Sequence, residues 1–274
     1  MKTWFITGAS RGFGALITER ALARGDAVVA TARSPQVLTE RFGDHPNLLT
    51  LALDVTSEEQ AEAATKAAIE RFGKIDVLLN NAGFGLLGAI EESSAADVEA
   101  VYRTNVFGLL TVTRAVLPHM RAARSGRILN VSSIGGYCSS AGFGVYCSTK
   151  FAVEGLTEAL HEELAPLGIH VTAVEPGYFR TDFLDSASLS VSSDRIDDYD
   201  GTVGQVRRFA AGISHKQPGD PAKLADVLIT FAEVPNPPVR LPLGSDTVAG
   251  IEAKHAADAA ILAQWHDLSI STDF

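Results

Sequence analysis

A chain of 274 residues with 46% apolar side chains has room for one large α/β domain or two small ones. Its net charge is −10, from 33 acidic against 23 basic residues, and no Lys/Arg-rich run breaks that balance. This speaks against a nucleic-acid partner, because phosphate binding needs a basic footprint. No apolar run approaches the roughly 18 residues of a membrane span.

Met1-Lys2-Thr3 leads straight into a short apolar run. A charged start, a long apolar core and a small-residue cleavage site are missing, so no leader is expected. The two cysteines, Cys138 and Cys147, are expected to be reduced and the protein cytoplasmic. The seven histidines show no metal-ligand spacing, and no metal is expected.

Short apolar runs alternate with helical stretches along the chain. Strands are expected at Trp4-Phe5-Ile6, Ala27 to Thr31, Leu48 to Leu53, Ile75 to Leu79, Arg127 to Val131 and His170 to Val174. Helices are expected at Ala15 to Arg24, at Ser57 to Phe72 with Ser57 as N-cap and Gly73 as stop, at Asp97 to Met120 interrupted by Gly108, and at Val145 to Leu167. This alternation predicts an α/β fold: a single Rossmann-type, doubly wound parallel sheet covered by helices on both faces.

After residue 180 the pattern breaks. Residues 183–217 hold five serines between 186 and 193, followed by Asp194, Asp197, Asp198 and Asp200. A mobile substrate lid is expected there, because the segment follows a strand end where doubly wound sheets bind ligands. A disordered surface insertion is the alternative. Pro221 to Val234 reads as a helix, prolines 235, 237, 238 and 242 as an extended crossing, and 246–268 as a last helix. Val248, Ile251, Leu262 and Trp265 form that helix's apolar side. Residues 235–274 are thus a C-terminal extension of one domain spanning 1–274.

Residues 7–14 read TGASRGFG between a strand and a helix, placing Gly8, Gly12 and Gly14 as Gly-x-x-x-Gly-x-Gly. Such glycines let backbone N–H groups approach a pyrophosphate, and the helix N-terminus adds its positive dipole end. A dinucleotide site commonly has an acid about 20 residues further on, bound to the ribose hydroxyls. Here no acid occurs from 27 to 39, and Arg33 ends the second strand, with Arg11 inside the glycine loop. Two guanidinium groups suit a 2′-phosphate, so NADP(H) is expected over NAD(H). Asp54 is placed either to accept from the adenine amine or to cap a helix. Asn80-Asn81-Ala82-Gly83 either lines the cofactor or makes a turn.

Tyr146 and Lys150 sit four apart at the head of a helix and share one face. Free tyrosine titrates near 10, too high for efficient proton transfer at neutral pH. An ammonium about 4 Å away, at an effective dielectric near 20, is worth roughly 4 kcal/mol, or about 3 pKa units. By itself, Tyr-x-x-x-Lys is weak evidence. It gains weight beside a dinucleotide cradle and a well-placed serine.

With these residues in place, the chain resembles the short-chain dehydrogenase/reductases. The resemblance rests on TGASRGFG at 7–14, Asp54, NNAG at 80–83, Asn105, Ser132-Ser133, YCSTK at 146–150 and Pro176-Gly177, in the family's order over residues 3–182. It implies that Tyr146 is the acid/base, that Lys150 lowers its pKa and binds the nicotinamide ribose, and that Ser133 holds the substrate oxygen. Asn105 would hold a water linking Lys150 to solvent. Ser10, Phe13, Val55, Asn81, Ala82 and Gly83 would join the glycines, Arg11, Arg33 and Asp54 around the cofactor. Pro176, Gly177, Phe179 and Thr181 would border the nicotinamide. Phe13 departs from the family's usual Ile or Leu.

The Pro-rich crossing and final helix resemble the NADP-preferring branch of hydroxysteroid and retinol dehydrogenase-like enzymes, and lack the Gly-rich ending of shorter tetrameric members. The helices at 97–120 and 146–167 resemble the family's dimer-forming pair. A homodimer is therefore expected, with a tetramer as alternative.

Cys147 reads as a packing residue. Tyr137, Cys138, Phe143, Phe183 and Leu184 are candidate pocket walls, favouring a hydrophobic ketone or aldehyde. The implied activity is reduction of a carbonyl, or the reverse oxidation of an alcohol. Two other functions fit less well. A sugar-nucleotide epimerase or dehydratase needs a longer chain and a different glycine spacing, and a dinucleotide-sensing regulator without turnover typically loses the Tyr or Lys.

Overall fold

A computed structural model describes residues 1–274. Seven strands form one sheet in which every pair is parallel: β1 (Thr3–Ile6), β2 (Ala27–Ala32), β3 (Leu48–Ala52), β4 (Val77–Asn80), β6 (Gly126–Val131), β7 (Ile169–Pro176) and β9 (Arg240–Leu243). Their spatial order is β3-β2-β1-β4-β6-β7-β9. The six strands expected from the sequence are present, with ends displaced by a residue or two. The seventh comes from the Pro-rich crossing. Pro242 is tolerated there because β9 is an edge strand, which need not donate on both sides.

The period-2 alternation of each strand sends side chains into two cores. Trp4 and Ile6 of β1 enter one, against α1 (Gly12–Ala23), α2 (Pro35–Phe42) and α8 (Pro221–Phe231). Phe5 enters the other, against α3 (Glu58–Phe72), α5 (Leu109–Ala123) and α6 (Gly144–Leu164). Helices therefore cover both faces, as a fully buried parallel sheet requires. Ser57 caps α3 by accepting from the Gln60 amide at 3.3 Å, and Gly73 ends it in the left-handed region at φ 76°. The helix expected at Ala15 begins at Gly12, and α2 has no counterpart among the expected elements.

The helix expected over 97–120 is two helices. α4 (Ala95–Tyr102) is joined to α5 by a π-helical turn, Arg103–Gly108. Gly108 permits the join, since a Cβ there would lie 2.5 Å from Val55 Cγ2. Asn105 sits inside this turn.

Residues 183–217 are folded. β8 (Leu189–Val191) pairs in parallel with β5 (Gly85–Leu87), and α7 (Gln205–Ile213) closes the segment. The segment is tied down by Glu92, whose buried carboxylate accepts from the Ile196 amide at 3.0 Å and pairs with Arg207. The last helix, α9 (Ser245–Ile270), packs only through its first turns. Of the four residues expected to form its apolar side, Val248, Leu262 and Trp265 are exposed and Ile251 is half-buried. No helix is long and apolar enough to cross a membrane.

Candidate active site

The strand order reverses at β1 and β4, and a crevice opens beyond the carboxyl ends of strands at such a point. A cleft of about 800 Å³ lies there. Apart from Gly14 and Asn105, every site residue expected from the sequence lines it.

One end of the cleft is the glycine loop. Gly8 and Gly12 hold φ +67° and +55°, which side chains rarely adopt. A Cβ on Gly14 would lie 2.4 Å from the Gly8 carbonyl oxygen, so Gly14 stands behind the loop and allows its close return. No side chain caps α1, which leaves its first-turn amides open toward the cleft. A loop narrowed by glycine against a bare helix N-terminus fits a pyrophosphate. Asn81 belongs to the scaffold: its amide donates to the carbonyls of Thr7 at 3.0 Å and Gly8 at 3.1 Å. The Thr7 hydroxyl in turn accepts from the amides of Asn81 and Ala82.

Arg33, at the end of β2, is exposed and has no hydrogen bond or ion pair within the chain. Arg11 differs, since it donates to the Ala187 carbonyl and so links the glycine loop to the segment 183–217. One Asp54 oxygen accepts from the Thr56 amide at 2.9 Å and hydroxyl at 2.7 Å, closing a local turn, and the other has no partner.

The other end holds the polar groups singled out for proton transfer. Ser133 precedes a short 3-10 turn, Ile134–Gly136, and accepts from the Gly135 amide at 3.0 Å. Tyr146 and Lys150 lie on consecutive turns of α6 and are 7% and 6% exposed. The rings of Phe143 and Phe183 pack against Tyr146 at centroid distances of 6.1 and 5.6 Å. Lys150 Nζ donates to the Val131 carbonyl at 2.8 Å and lies 5.7 Å from the Tyr146 ring centroid.

The titration of these groups differs from the expectation. Burial pushes the Tyr146 phenol above its ordinary value, with the Ser133 hydroxyl opposing. Burial also draws Lys150 down to about 8, with Glu154 opposing. The ammonium is hydrogen-bonded to a carbonyl rather than to the phenol, so its attraction does not outweigh the loss of water around Tyr146.

Asn105 lies behind Gly83. Its side chain accepts from the Phe84 amide at 3.0 Å and donates to the Phe84 carbonyl at 3.0 Å and the Thr149 hydroxyl at 3.1 Å. Pro176 and Gly177 end β7, and Phe179 meets Phe13 edge-on at 5.5 Å. Thr181 accepts from the Phe183 amide at 3.3 Å.

Phe143, Phe183 and Leu184 line the cleft as expected, joined by Phe84 and Leu189. Cys138 and Cys147 line it too, and burial raises both thiols. Tyr137 does not reach the cleft; it turns outward to His255 and the Arg240 guanidinium. The sequence reading passed over Gln217, which lines the cleft with both amide atoms buried and without partners. A glutamine between Lys216 and Pro218 carries no motif, and only the fold brings it to the cleft.

The profile of the family described as short chain dehydrogenase matches residues 2–191. The chain is 38% identical over 274 residues to oxidoreductase BOA17 of Botryotinia fuckeliana, covering 99% of each. It is 37% identical to the 3-ketodihydrosphingosine reductase of Bacteroides thetaiotaomicron, covering 87% of this chain and 86% of that one. Among solved structures, a short-chain dehydrogenase from Streptomyces avermitilis superposes with a TM-score of 0.91 at 38% identity, covering 100% of both chains. ElxO with NADP bound superposes at 0.75, with 28% identity and 90% and 99% coverage. A short-chain dehydrogenase/reductase from Burkholderia phymatum in complex with NAD superposes at 0.82, with 25% identity and 94% of both chains covered.

Proposed function

The chain belongs to the short-chain dehydrogenase/reductase family of oxidoreductases, and from that premise we propose that it interconverts an apolar ketone or aldehyde with its alcohol, using NADP(H). The observation that carries this reading is the convergence of Ser133, Tyr146 and Lys150 at one end of a cleft whose other end is a glycine cradle. The bound nicotinamide supplies the hydride in reduction and accepts it in oxidation.

The proposed roles of the chain's residues follow from their positions. Tyr146 holds at its phenol oxygen the proton destined for the carbonyl oxygen. Burial favours the protonated phenol, which keeps the proton in place until negative charge develops opposite. Ser133 donates to the same carbonyl oxygen and fixes its direction. Lys150 stands to bind the nicotinamide ribose and to replace the proton on Tyr146. Asn105 is assigned the next place in the relay, through a water facing Lys150. Because its side chain is engaged with Phe84 and Thr149, its backbone is the group left to hold that water. Phe84, Phe143, Phe183, Leu184 and Leu189 exclude water and accept an apolar substrate. The relative named for a 3-keto lipid supports the same class of substrate.

The preference for the phosphorylated cofactor rests on Arg33, a free guanidinium at the end of β2 with no acid beside it on residues 27–39. A cytoplasmic homodimer is proposed, with Phe107 and Phe151 as exposed apolar residues on the two helical segments expected to pair. The test is NADPH consumption across steroid, retinoid, long-chain and aryl ketones, with kcat/KM compared between NADPH and NADH. Turnover of an apolar ketone with NADPH preferred is expected. A tenfold preference for NADH would overturn the cofactor assignment.

A further inference from the structure

Behind Lys150, on the side away from the cleft, two carboxyl groups are buried together. Glu154 follows Lys150 by one turn of α6 and is 3% exposed. Glu175 lies in β7 immediately before Pro176 and is 1% exposed. None of their four carboxyl oxygens makes a well-formed hydrogen bond, and the nearest groups to Glu154 are the Ser132 hydroxyl and the Glu175 carboxyl itself.

One cation serves both. Arg240 Nε is 3.3 Å from Glu154 and 3.6 Å from Glu175, and Nη2 of the same guanidinium is 2.8 Å from the half-exposed Glu158. The other charged or titratable groups around the pair are Lys150 on α6, Tyr137 and Cys138 after β6, and Lys254, His255 and Asp258 on α9. Arg240 lies 5.1 Å from the Tyr137 ring, which closes the outer side. Two buried carboxylates facing a single divided cation repel each other, and one proton between them relieves the repulsion and supplies the missing donor.

We propose that Glu154 and Glu175 share a single proton, and that the one negative charge left on the pair is a positioning charge that keeps the Lys150 ammonium protonated. The titration tendencies agree with this arrangement. Burial raises both carboxyls, Glu175 to about 7 with the Glu154 charge as its second cause. Glu154 is the charge that opposes the fall of Lys150. The assignment rests on the proposed role of Lys150 only for its effect on turnover. The shared proton stands apart from it.

The two glutamates act on Lys150 unequally. At the pH where Lys150 titrates, about 8, the shared proton has left the pair and both carboxyls are ionised. Glu154→Gln then removes the charge that opposes the fall of Lys150, so Lys150 gives up its proton at lower pH. Glu175→Gln leaves Glu154 ionised and the Lys150 titration nearly unchanged. A purely structural role would not separate the two variants in this way.

The test has two arms on the full-length protein. In the first, infrared titration of the ligand-free wild type follows the carbonyl band of protonated carboxyl groups. A band that persists to about neutral pH, and moves to lower pH in both variants, is expected. Complete ionisation in the ordinary glutamate range, near 4.3, would overturn the shared proton. This arm needs no variant to fold for its main reading. In the second arm, the alkaline limb of the pH profile of NADPH-supported kcat/KM is expected to fall by roughly one pH unit in Glu154→Gln and to stay within about 0.3 of wild type in Glu175→Gln. An unmoved limb in Glu154→Gln, or an equal fall in both variants, would overturn the link to Lys150. If wild type turns over no carbonyl substrate, the proposed function fails, and the infrared arm still decides the pair.

Discussion

The Lys150 ammonium lies 5.7 Å from the centroid of the Tyr146 ring, yet its hydrogen bond goes to the Val131 carbonyl at 2.8 Å. The two residues share a helix face without being bonded to each other. In the proposed function, Lys150 stands between the cofactor ribose and the end of β6, whose Val131 carbonyl holds it. Lys150→Met is therefore expected both to weaken NADPH binding and to lower turnover by roughly 10²–10⁴-fold, the range of general acid–base contributions. Fluorescence titration of NADPH and steady-state kinetics separate the two effects. Unchanged binding with reduced turnover would place Lys150 away from the ribose.

Arg33 has no partner within the chain, whereas Arg11 is tied through Ala187 to the segment 183–217, expected from the sequence to be a lid. Arg33→Ala is expected to lower kcat/KM for NADPH by about 10–100-fold, in line with loss of a charge-assisted hydrogen bond, and to leave NADH nearly unchanged. Arg11→Ala is expected to raise KM for the carbonyl substrate as well, because the lid loses an attachment. Equal losses with both cofactors in Arg33→Ala would remove the 2′-phosphate assignment.

Glu92 fastens the lid. Its hydrogen bond with Arg207 and those from the Ala89 and Ile196 amides hold its carboxyl at about 2 despite burial. A carboxyl depressed in this way stabilises the fold above its unfolded value near 4.5, and that contribution is lost as pH falls toward 2. The lid is therefore expected to stay docked at pH 4. Arg207→Met leaves the Glu92 charge buried without its cation, at a cost of about 3–5 kcal/mol. Limited proteolysis should then cut within 185–217, where the wild type resists.

Glu175 has the opposite sign. Its carboxyl is raised to about 7, so its contribution to stability is complete below about 4.5 and is lost as pH rises through 7. Glu175→Gln is expected to match wild type at pH 5 and to melt higher at pH 8. Each kcal/mol relieved corresponds to roughly 2–4 °C in Tm for a chain of this size. Thermal melts at the two pH values check this, and a variant less stable at pH 8 would contradict it.

The sheet and the cleft were legible because their signals are local. Apolar alternation marks each strand, Ser57 and Gly73 bracket a helix, and glycines at 8, 12 and 14 announce a tight loop. Pro242 hid β9, since proline excludes a central strand and sequence alone does not say which strand is at an edge. β5 and β8 are three residues each and pair only with each other, across about a hundred residues of chain. Gly108 marked an interruption in the sequence, but the π-helical form of the turn at Arg103–Gly108, with Val55 close beside Gly108, has no local signal. The same holds for the site. Tyr146 and Lys150 were found by spacing and Ser133 through the family resemblance, but Gln217 and the Glu154–Glu175 pair are defined by what surrounds them. The distance argument counted the ammonium's charge and left out the burial of Tyr146, which acts in the opposite direction.

The most direct test of the proposed chemistry is Tyr146→Phe, read by single-turnover NADPH oxidation with an apolar ketone that the wild type reduces. The phenyl ring preserves the packing against Phe143 and Phe183 and removes only the hydroxyl. The account predicts a loss of about 10²–10⁴-fold in the rate, with NADPH affinity within about twofold of wild type. Turnover near the wild-type rate would contradict it.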